Sequence, residues 1–410
     1  MKTKKREIVF IVLQFIFYFG FVLLLHSCSS YSIRSPILDQ PTINALENQT
    51  VTAVPSSTSK PTITKDLRST QTALYLSTQS AQETAVFATN VIKATEAEVA
   101  RQTQLATIIS VENADKVKKL YCEYFIESLQ DVSISSKDNL FAVGSFRHPD
   151  VFVFRYPDGK FIKSLEGHSG GIRTLSFSPF GTKLAAGSYD YTANLWDVRT
   201  GNLLFTLRGH RGIVHSVAFS PDGKYLATGS DAGTIRIWNT KDGTLVKYLR
   251  VNYMVLAVSF SPDGAYLISG ENTNGKIRIW SVQKEFRPIT ILEAHRYGVV
   301  SVDFSPDGRT FASGGIDKTI KIWELETGKL LRTFIGHDQG VLRVTYSNDG
   351  KLLVSSANDG TVRLWRVEDG KILNVLEEHN GWVGSVAMNP EETLIISVGG
   401  GDGKICYWGL

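Results

Sequence analysis

The sequence predicts an all-β protein, a β-propeller of seven blades, and three observations lead to this prediction. A short strand that ends in tryptophan recurs six times, and consecutive copies are separated by 42 or 43 residues. That period, built from short strands, is typical of propeller blades. One period before the first tryptophan, Phe154 fills the same slot, which makes seven copies. The tryptophans are Trp196, Trp238, Trp280, Trp323, Trp365 and Trp408.

Each copy contains four strand-like stretches that are separated by turn residues. An apolar stretch such as VHSVAFSPDG comes first, and a second such as KYLATGS follows it. The tryptophan strand and a stretch such as TGKLLRTF complete the copy. Pro, Asp and Gly dominate the turns, as expected of hairpins. A histidine stands about 28 residues before most of the tryptophans, in segments such as GHSG and GHRG.

These features resemble the WD40-repeat family over residues 117–410, although the Trp-Asp pair itself survives only at Trp196-Asp197. In that family the fourth strand of the closing blade often comes from the other terminus. The last copy has three strands, near 382–388, 393–398 and 403–408, and no fourth. The resemblance therefore predicts that the stretch near 118–124 completes this blade, which removes two exposed sheet edges.

The resemblance also implies a hydrogen-bonded network in each blade, formed by the histidine, a Ser or Thr, an Asp and the tryptophan. Such a network satisfies buried polar groups and fixes the blade. The second copy has Ala186 in the serine slot, the third has Ala232 in the aspartate slot, and the fourth has Val251 and Asn274 for histidine and aspartate. The members expected in this structural role are His168, Asp190, Trp196, His210, Thr228, Trp238, His295, Ser313, Asp317, Trp323, His337, Ser355, Asp359, Trp365, His379, Ser397, Asp402 and Trp408.

The same residues can be assembled on paper into a Ser-His-Asp catalytic triad. That triad would arise three times in repeat positions, whereas a single active site should break the repeat. The SPDG and TGK turns are hairpin turns and not phosphate loops. The histidines are spread one per blade around a ring, so they do not converge on a metal. We therefore expect no enzyme activity, no metal and no cofactor.

Charge and cysteine content exclude further classes. A net charge of +4 over 410 residues does not call for nucleic acid, and the scattered Lys and Arg are interpreted as solvated strand edges. Three cysteines are too few for a disulfide-dense scaffold, and none forms a CxxC zinc pattern.

Residues 1–28 begin with basic residues and continue with an uncharged apolar run of nearly bilayer-spanning length. Three interpretations remain open: a cleaved signal peptide, an uncleaved anchor, or a bacterial lipoprotein signal. We favour the last, with lipidation at Cys28, because Leu25-His26-Ser27-Cys28 resembles a lipobox, although the histidine is unusual. All three interpretations predict a membrane-associated, extracytoplasmic protein of the cell envelope.

Two segments follow before the propeller. Residues 29–66 are rich in Ser, Thr and Pro and are expected to form a disordered linker. Residues 67–112 lack Gly and Pro, and their apolar residues fall on helical spacing. We favour a partly frayed helical spacer, because the many threonines lower helix propensity. The other is a coiled-coil stalk that supports weak self-association.

A partner is expected to bind one face of the disc, where loops carry function on a rigid scaffold. In WD40 domains the residues three and five after the histidine slot, and the residue before the aspartate, point to that face. Trp382 lies outside the tryptophan slots, so it is either an anchor for a partner or a residue that packs across the central channel. The candidates are Tyr189, Ile213, His215, Asp231, Met254, Leu256, Val300, Ile316, Leu342, Asn358 and Trp382.

The predicted function is a non-catalytic platform that holds a protein or peptide near a membrane. Two alternatives stay open. One is an exported propeller enzyme, hydrolase-like, which would need a carboxylate or histidine cluster outside the repeat slots. The other is an envelope structural or assembly protein whose stalk sets the oligomeric state.

Cys122 and Cys406 are predicted to face each other in the closing blade. By a sequence offset taken from the sixth copy, Cys122 corresponds to Phe334, and the turn of the fifth copy pairs Lys321 with Phe334. Lys321 stands two residues before its tryptophan, as Cys406 does. A disulfide between them would close a very long loop. The alternatives are a register off by one, which turns the thiols to opposite faces, and two unrelated buried thiols.

Overall fold

The computed structural model describes residues 107–126 and 128–410. Within that part of the chain, seven antiparallel sheets of four strands form the blades of a propeller, as the sequence predicts. The first, innermost strand of each blade lines the central channel, and the fourth lies at the outer edge. Among these residues no helix has the length and apolar character needed to cross a membrane.

The strands are numbered in chain order. Blades 1 to 3 consist of β2 (Leu129–Ile134), β3 (Leu140–Ser145), β4 (His148–Arg155) and β5 (Lys160–Leu165); β6 (Ile172–Phe177), β7 (Lys183–Ser188), β8 (Ala193–Asp197) and β9 (Leu203–Leu207); and β10 (Val214–Phe219), β11 (Tyr225–Ser230), β12 (Thr234–Asn239) and β13 (Leu245–Arg250). Blades 4 to 6 consist of β14 (Val255–Phe260), β15 (Tyr266–Glu271), β16 (Lys276–Ser281) and β17 (Arg287–Glu293); β18 (Val299–Phe304), β19 (Thr310–Gly315), β20 (Thr319–Glu324) and β21 (Leu330–Ile335); and β22 (Val341–Tyr346), β23 (Leu352–Ala357), β24 (Thr361–Arg366) and β25 (Ile372–Glu377). Blade 7 consists of β26 (Val383–Met388), β27 (Ile395–Gly399), β28 (Lys404–Gly409) and β1 (Lys118–Tyr124).

Blade 7 closes the ring with strands from both ends of the propeller. Its order is β1-β28-β27-β26, so the early strand β1 pairs with the last strand of the chain. This is the closure predicted from the sequence. At the seam with blade 1, Gly384 is required, because a Cβ there would meet the carbonyl oxygens of Leu129 and Gln130 within 2.8 Å.

Apolar side chains on both faces of each sheet form the cores between blades. Between blades 4 and 5, for example, Ile268 and Ile279 pack with Phe304, Phe311 and Trp323. The tryptophan of each repeat thus faces the preceding blade, and its burial explains why the slot is aromatic. Fully burying one large apolar side chain contributes about 1.5–3 kcal/mol relative to its exposed state.

The predicted helical spacer, residues 67–112, is wrong at its end. Residues 107–112 form an irregular segment and a turn, and a short 3₁₀ helix follows at Ala114–Lys116. Ile109 is 1% exposed in the core of blades 6 and 7, and its N–H donates to the Glu392 carbonyl at 2.6 Å. Burial of Ile109 and this bond favour an irregular backbone over a helix of β-branched residues. Residues 67–106, the linker 29–66, the segment 1–28 and Cys28 lie outside the described residues.

Candidate partner-binding face

Blade 5 shows the complete repeat network. Trp323 Nε1–H donates to Ser313 Oγ at 2.9 Å, and the serine lies 2.8 Å from His295 Nε2. The other ring nitrogen, His295 Nδ1, lies 2.8 Å from Asp317 Oδ1. Burial alone would raise the pKa of Asp317, but hydrogen bonds, the histidine's first among them, hold this pKa well below its usual range. The network therefore ties the loop before the blade to the turn before its third strand.

Blades 6 and 7 repeat this arrangement. The serine oxygens lie 2.7 and 2.8 Å from the histidine Nε2 atoms, and each accepts a tryptophan indole N–H at 2.8 Å. The aspartates lie 2.8 and 3.2 Å from Nδ1. Burial alone would raise the pKa of Asp402, but its hydrogen bonds, the one with His379 first among them, lower this pKa to about 2. The members are His337, Ser355, Asp359 and Trp365 in blade 6, and His379, Ser397, Asp402 and Trp408 in blade 7.

The order Asp–His–Ser resembles a catalytic triad in connectivity, but the serine cannot act as a nucleophile. Ser313, Ser355 and Ser397 are 0% exposed. Each Oγ already accepts the indole N–H and faces the histidine, so no substrate carbonyl can approach it. The geometry therefore supports a structural role for the network.

Blade 2 has the network without its serine. His168 Nδ1 lies 2.9 Å from Asp190 Oδ2, but with Ala186 in the serine slot, His168 Nε2 has no hydrogen-bond partner among the described residues. Trp196 instead donates Nε1–H to the Glu166 carbonyl at 2.9 Å. The network of this blade therefore leaves the buried His168 Nε2 unsatisfied, which costs about 1–3 kcal/mol.

Blade 3 has the network without its aspartate. His210 Nε2 lies 2.7 Å from Thr228 Oγ1, and its Nδ1 lies 3.0 Å from Thr234 Oγ1. Trp238 Nε1–H donates to Thr228 Oγ1 at 2.9 Å. Burial and the nearby charge of Arg236, with no carboxylate to oppose them, lower the pKa of His210 to about 3.

Blade 4 has a different network, which sequence reasoning missed. Val251 replaces the histidine, and the fully buried Glu271 accepts hydrogen bonds from Arg278 Nε and from Asn274 Nδ2, the latter at 2.6 Å. Glu271 aligns with Gly315 of blade 5 in the strand register. The blades that have a histidine carry only small residues at this position, Gly315 and Ala357 among them, so the long Glu271 side chain takes the volume that a histidine fills elsewhere. Comparison of the copies position by position could have revealed this exchange.

The predicted partner-binding residues lie on one face of the propeller, which we call the top face: the side with the loops before the first strands and the turns before the third strands. His215, Leu256, Val300 and Leu342 line a cavity of about 40 Å³ at the mouth of the central channel. Met254 and Ile316 are each 42% exposed. Tyr189, Ile213, Asp231, Asn358 and Trp382 occupy the loops around the mouth.

Trp382 does not line the cavity at the channel mouth. Its six-membered ring lies where a side chain at Gly400 would have to be, and it also approaches Gly384. Gly400 N–H donates to the Trp382 carbonyl at 2.9 Å, as Ile316 N–H does to Gly298 in blade 5. The half-buried tryptophan thus covers the position of a missing side chain on the rim of the top face.

Sequence reasoning also missed a basic residue at the mouth. Arg173 Nε–H donates to His215 Nδ1 at 3.1 Å, and His215 Nε2–H donates to Asp231 Oδ1. Burial, and then the charge of Arg173, lower the pKa of His215 below its ordinary value. Because Nδ1 accepts the Arg173 N–H, the ring proton lies on Nε2, and the imidazole holds Arg173 in place.

Cys122 lies opposite Cys406 in the pairing of β1 with β28, and a disulfide joins them over 284 residues of sequence. The steps that predicted this pair were each wrong by one residue. Lys321 pairs with Thr333 and not with Phe334, because a bulge shifts the register between Ile322 and Trp323. In the observed register Cys122 corresponds to Thr333 and not to Phe334. This second error has the opposite sign to the first, so the predicted pair is still correct.

The described residues contain no group of three or more His, Cys, Asp or Glu side chains that could hold a metal ion.

The family model "WD domain, G-beta repeat" matches six segments, at residues 159–197, 201–239, 243–281, 286–324, 328–366 and 370–409. The chain belongs to the WD40 family. Propellers of this family are typical protein–protein interaction scaffolds. The inner strands of blade 1, the most degenerate copy, precede the first matched segment.

Similar proteins match this WD40 chain only locally. The Periodic tryptophan protein 2 homolog of Schizosaccharomyces pombe is 30% identical over 67 residues, which are 16% of this chain and 8% of that protein. Ribosome assembly protein 4 of Saccharomyces cerevisiae is 39% identical over 56 residues, 14% and 11% of the two chains. The human Peroxisomal targeting signal 2 receptor is 34% identical over 67 residues, 16% and 21%. The matches thus span at most about a fifth of these relatives.

Proposed function

We propose that this WD40 protein is a non-catalytic interaction platform that binds a protein or peptide partner on its top face. The supporting observation is that the polar and the apolar side chains on that face have different roles. The buried histidine, serine and aspartate of each complete repeat network bond one another, whereas apolar side chains such as Met254, Tyr297 and Ile316 are exposed. A rigid scaffold that presents apolar and aromatic side chains from several loops is suited to binding a protein partner.

The chain enters the propeller beside blade 7. Ile109 lies beside Glu392, in the turn between the first two strands of that blade, on the face opposite the top face. We propose that residues 1–28 provide a membrane attachment, through Cys28, and that the propeller lies outside the cytoplasm.

The disulfide supports this location, because such bonds persist in oxidising compartments and are rare in the cytosol. Two measurements test it. Cys28→Ala should abolish incorporation of a labelled fatty acid in a bacterial host. Native, unreduced protein should show Cys122 and Cys406 blocked in a thiol count. Labelling of the variant, or two free thiols, would contradict the extracytoplasmic lipoprotein.

Site-directed photo-crosslinking in membranes tests the platform itself. A crosslinker at Ile316 on the top face should capture a defined partner band, and one at Phe180, 57% exposed on the opposite face, should not. Trp382→Ala should weaken binding by about 2 kcal/mol if Trp382 is a hot spot, with an unchanged melting temperature. Equal capture from both faces would contradict the proposal, and a large loss of stability would assign Trp382 to the core.

A further inference from the structure

The mouth of the central channel is divided chemically into two halves. The second residue of each innermost strand lines it, one from each blade. Blades 1 to 3 contribute polar side chains, blades 4 to 6 contribute apolar ones, and Gly384 of blade 7 contributes none. In order around the ring the residues are Gln130, Arg173, His215, Leu256, Val300, Leu342 and Gly384.

Arg173 is the cationic member of this ring, and Arg343, the residue after Leu342, also lines the cavity. The guanidinium of Arg173 is only partly used. Its Nε–H donates to His215, and Asp231 holds that imidazole from the other side. Within the described part of the chain, the two terminal Nη groups make no hydrogen bond, and they are not sealed from solvent. A fixed guanidinium with a free edge of two parallel donors matches a carboxylate in bidentate geometry.

The acidic side chains at the mouth do not compete for this edge. Asp131, which lines the cavity beside Gln130, already accepts the N–H groups of Val132 and Leu175. Asp231 is engaged by His215. The network aspartates are occupied by a histidine and by backbone N–H groups, as Asp190 is by His168 and Ser169. Arg296 and Lys318 add exposed positive charge on the same face. The electrostatic environment of the mouth therefore favours an anionic guest.

We propose that the channel mouth binds the carboxylate of an acidic side chain from a partner peptide, with Arg173 as its receptor and Leu256, Val300 and Leu342 contacting an adjacent apolar side chain. This rests on the proposed function and specifies the partner: a segment that places Glu or Asp beside a hydrophobic residue. The cavity of about 40 Å³ admits a carboxylate group and leaves the rest of the peptide on the surface. The Arg173 guanidinium, held through His215 by Asp231, offers one bidentate edge, which matches one carboxylate.

Calorimetric titration of the full-length chain in detergent tests the proposal, with the probe peptide acetyl-Gly-Leu-Glu-Leu-Gly-amide. The same peptide with Gln in place of Glu should bind at least about tenfold more weakly. Arg173→Gln should remove this preference, so that both peptides bind the variant equally weakly. Arg296→Gln, an exposed arginine on the same face, is the matched control and should keep the preference for Glu.

Three results would overturn the proposal: equal binding of the Glu and Gln peptides to the wild type, an unchanged preference in Arg173→Gln, or binding only when phosphoserine replaces Glu. None of these would affect the top-face platform, which depends on the crosslinking difference between Ile316 and Phe180. Conversely, a negative crosslinking result with a clear Glu preference would locate a peptide site without a stable protein partner.

Discussion

Blades 4 and 5 are neighbours with the same strand topology, yet different buried side chains hold their loops together. Blade 5 uses His295, which bridges Ser313 and Asp317. Blade 4 uses a buried carboxylate, Glu271, which is held by Arg278 and Asn274. In both, the tryptophan indole donates to a serine on the second strand at 2.9 Å.

The difference shows what the repeat requires. A buried region between two loops must be filled, and its polar atoms must be paired. A histidine entering from the first loop can meet this need, and so can a glutamate entering from the second strand, but the two cannot coexist because they would occupy one volume. The exchange of histidine for Val251 and of a small residue for Glu271 is therefore one coupled change.

The largest effect is expected from removal of the blade 4 carboxylate. Glu271→Ala leaves Arg278 and Asn274 without their acceptor and opens a cavity, so the free energy of unfolding should fall by about 4 kcal/mol. Glu293→Ala is the control: its side chain is 76% exposed beside Lys276, and its loss should cost less than about 1 kcal/mol. Chemical denaturation measures both variants. A loss below 1 kcal/mol for Glu271→Ala would mean that its network contributes little.

A transplant provides the converse test of this coupling. Val251→His alone should destabilise the protein, because the imidazole would overlap Glu271. The triple variant Val251→His, Glu271→Gly and Asn274→Asp should recover most of that loss, since it copies blade 5. Additive losses in the triple variant would contradict the idea of a single exchangeable volume.

The next prediction concerns the pH dependence of stability and blade 3, whose network has the histidine but no aspartate. The pKa of His210 falls from 6.5 to about 3 on folding, so the unfolded chain binds the proton more readily. The contribution of His210 to the free energy of unfolding is therefore fully present above pH 6.5. As the pH falls below 6.5, this contribution decreases by about 1.4 kcal/mol per pH unit. At pH 4 the loss should reach about 3 kcal/mol.

Comparison with His210→Gln isolates this contribution. Asp303 acts in the opposite direction, because burial raises its pKa to about 6, and its effect is common to both proteins. Urea unfolding at pH 7 and pH 4 should show a smaller acid loss in the variant. Parallel pH profiles would mean that His210 does not titrate as its environment indicates.

The sequence was sufficient for what the repeat encodes and insufficient where a copy departs from it. The period and the turn residues predicted the seven blades, and the missing strand after Trp408 predicted the closure by β1. Glu271 and Arg173 were missed because each is a single charged residue at a position that varies between the copies. Their roles depend on neighbours such as His215 that strand register alone brings together. The bulge before Trp323 was likewise invisible, since the sequence pattern does not mark it.

The smallest expected effect separates blade 2 from blade 6 by one hydroxyl group. Ser355→Ala removes the group that pairs with both His337 Nε2 and Trp365 Nε1, so two buried donors or acceptors lose their partner and stability should fall by about 2 kcal/mol. Ala186→Ser introduces the hydroxyl where His168 Nε2 lacks a partner, and it should add about 1 kcal/mol. The gain is smaller than the loss because Trp196 already donates to the Glu166 carbonyl and has no need of the serine. Thermal unfolding of the two single variants and of the double variant measures this, since the sites are in separate blades and should behave additively. Destabilisation by Ala186→Ser would show that the space around His168 has closed over the missing oxygen.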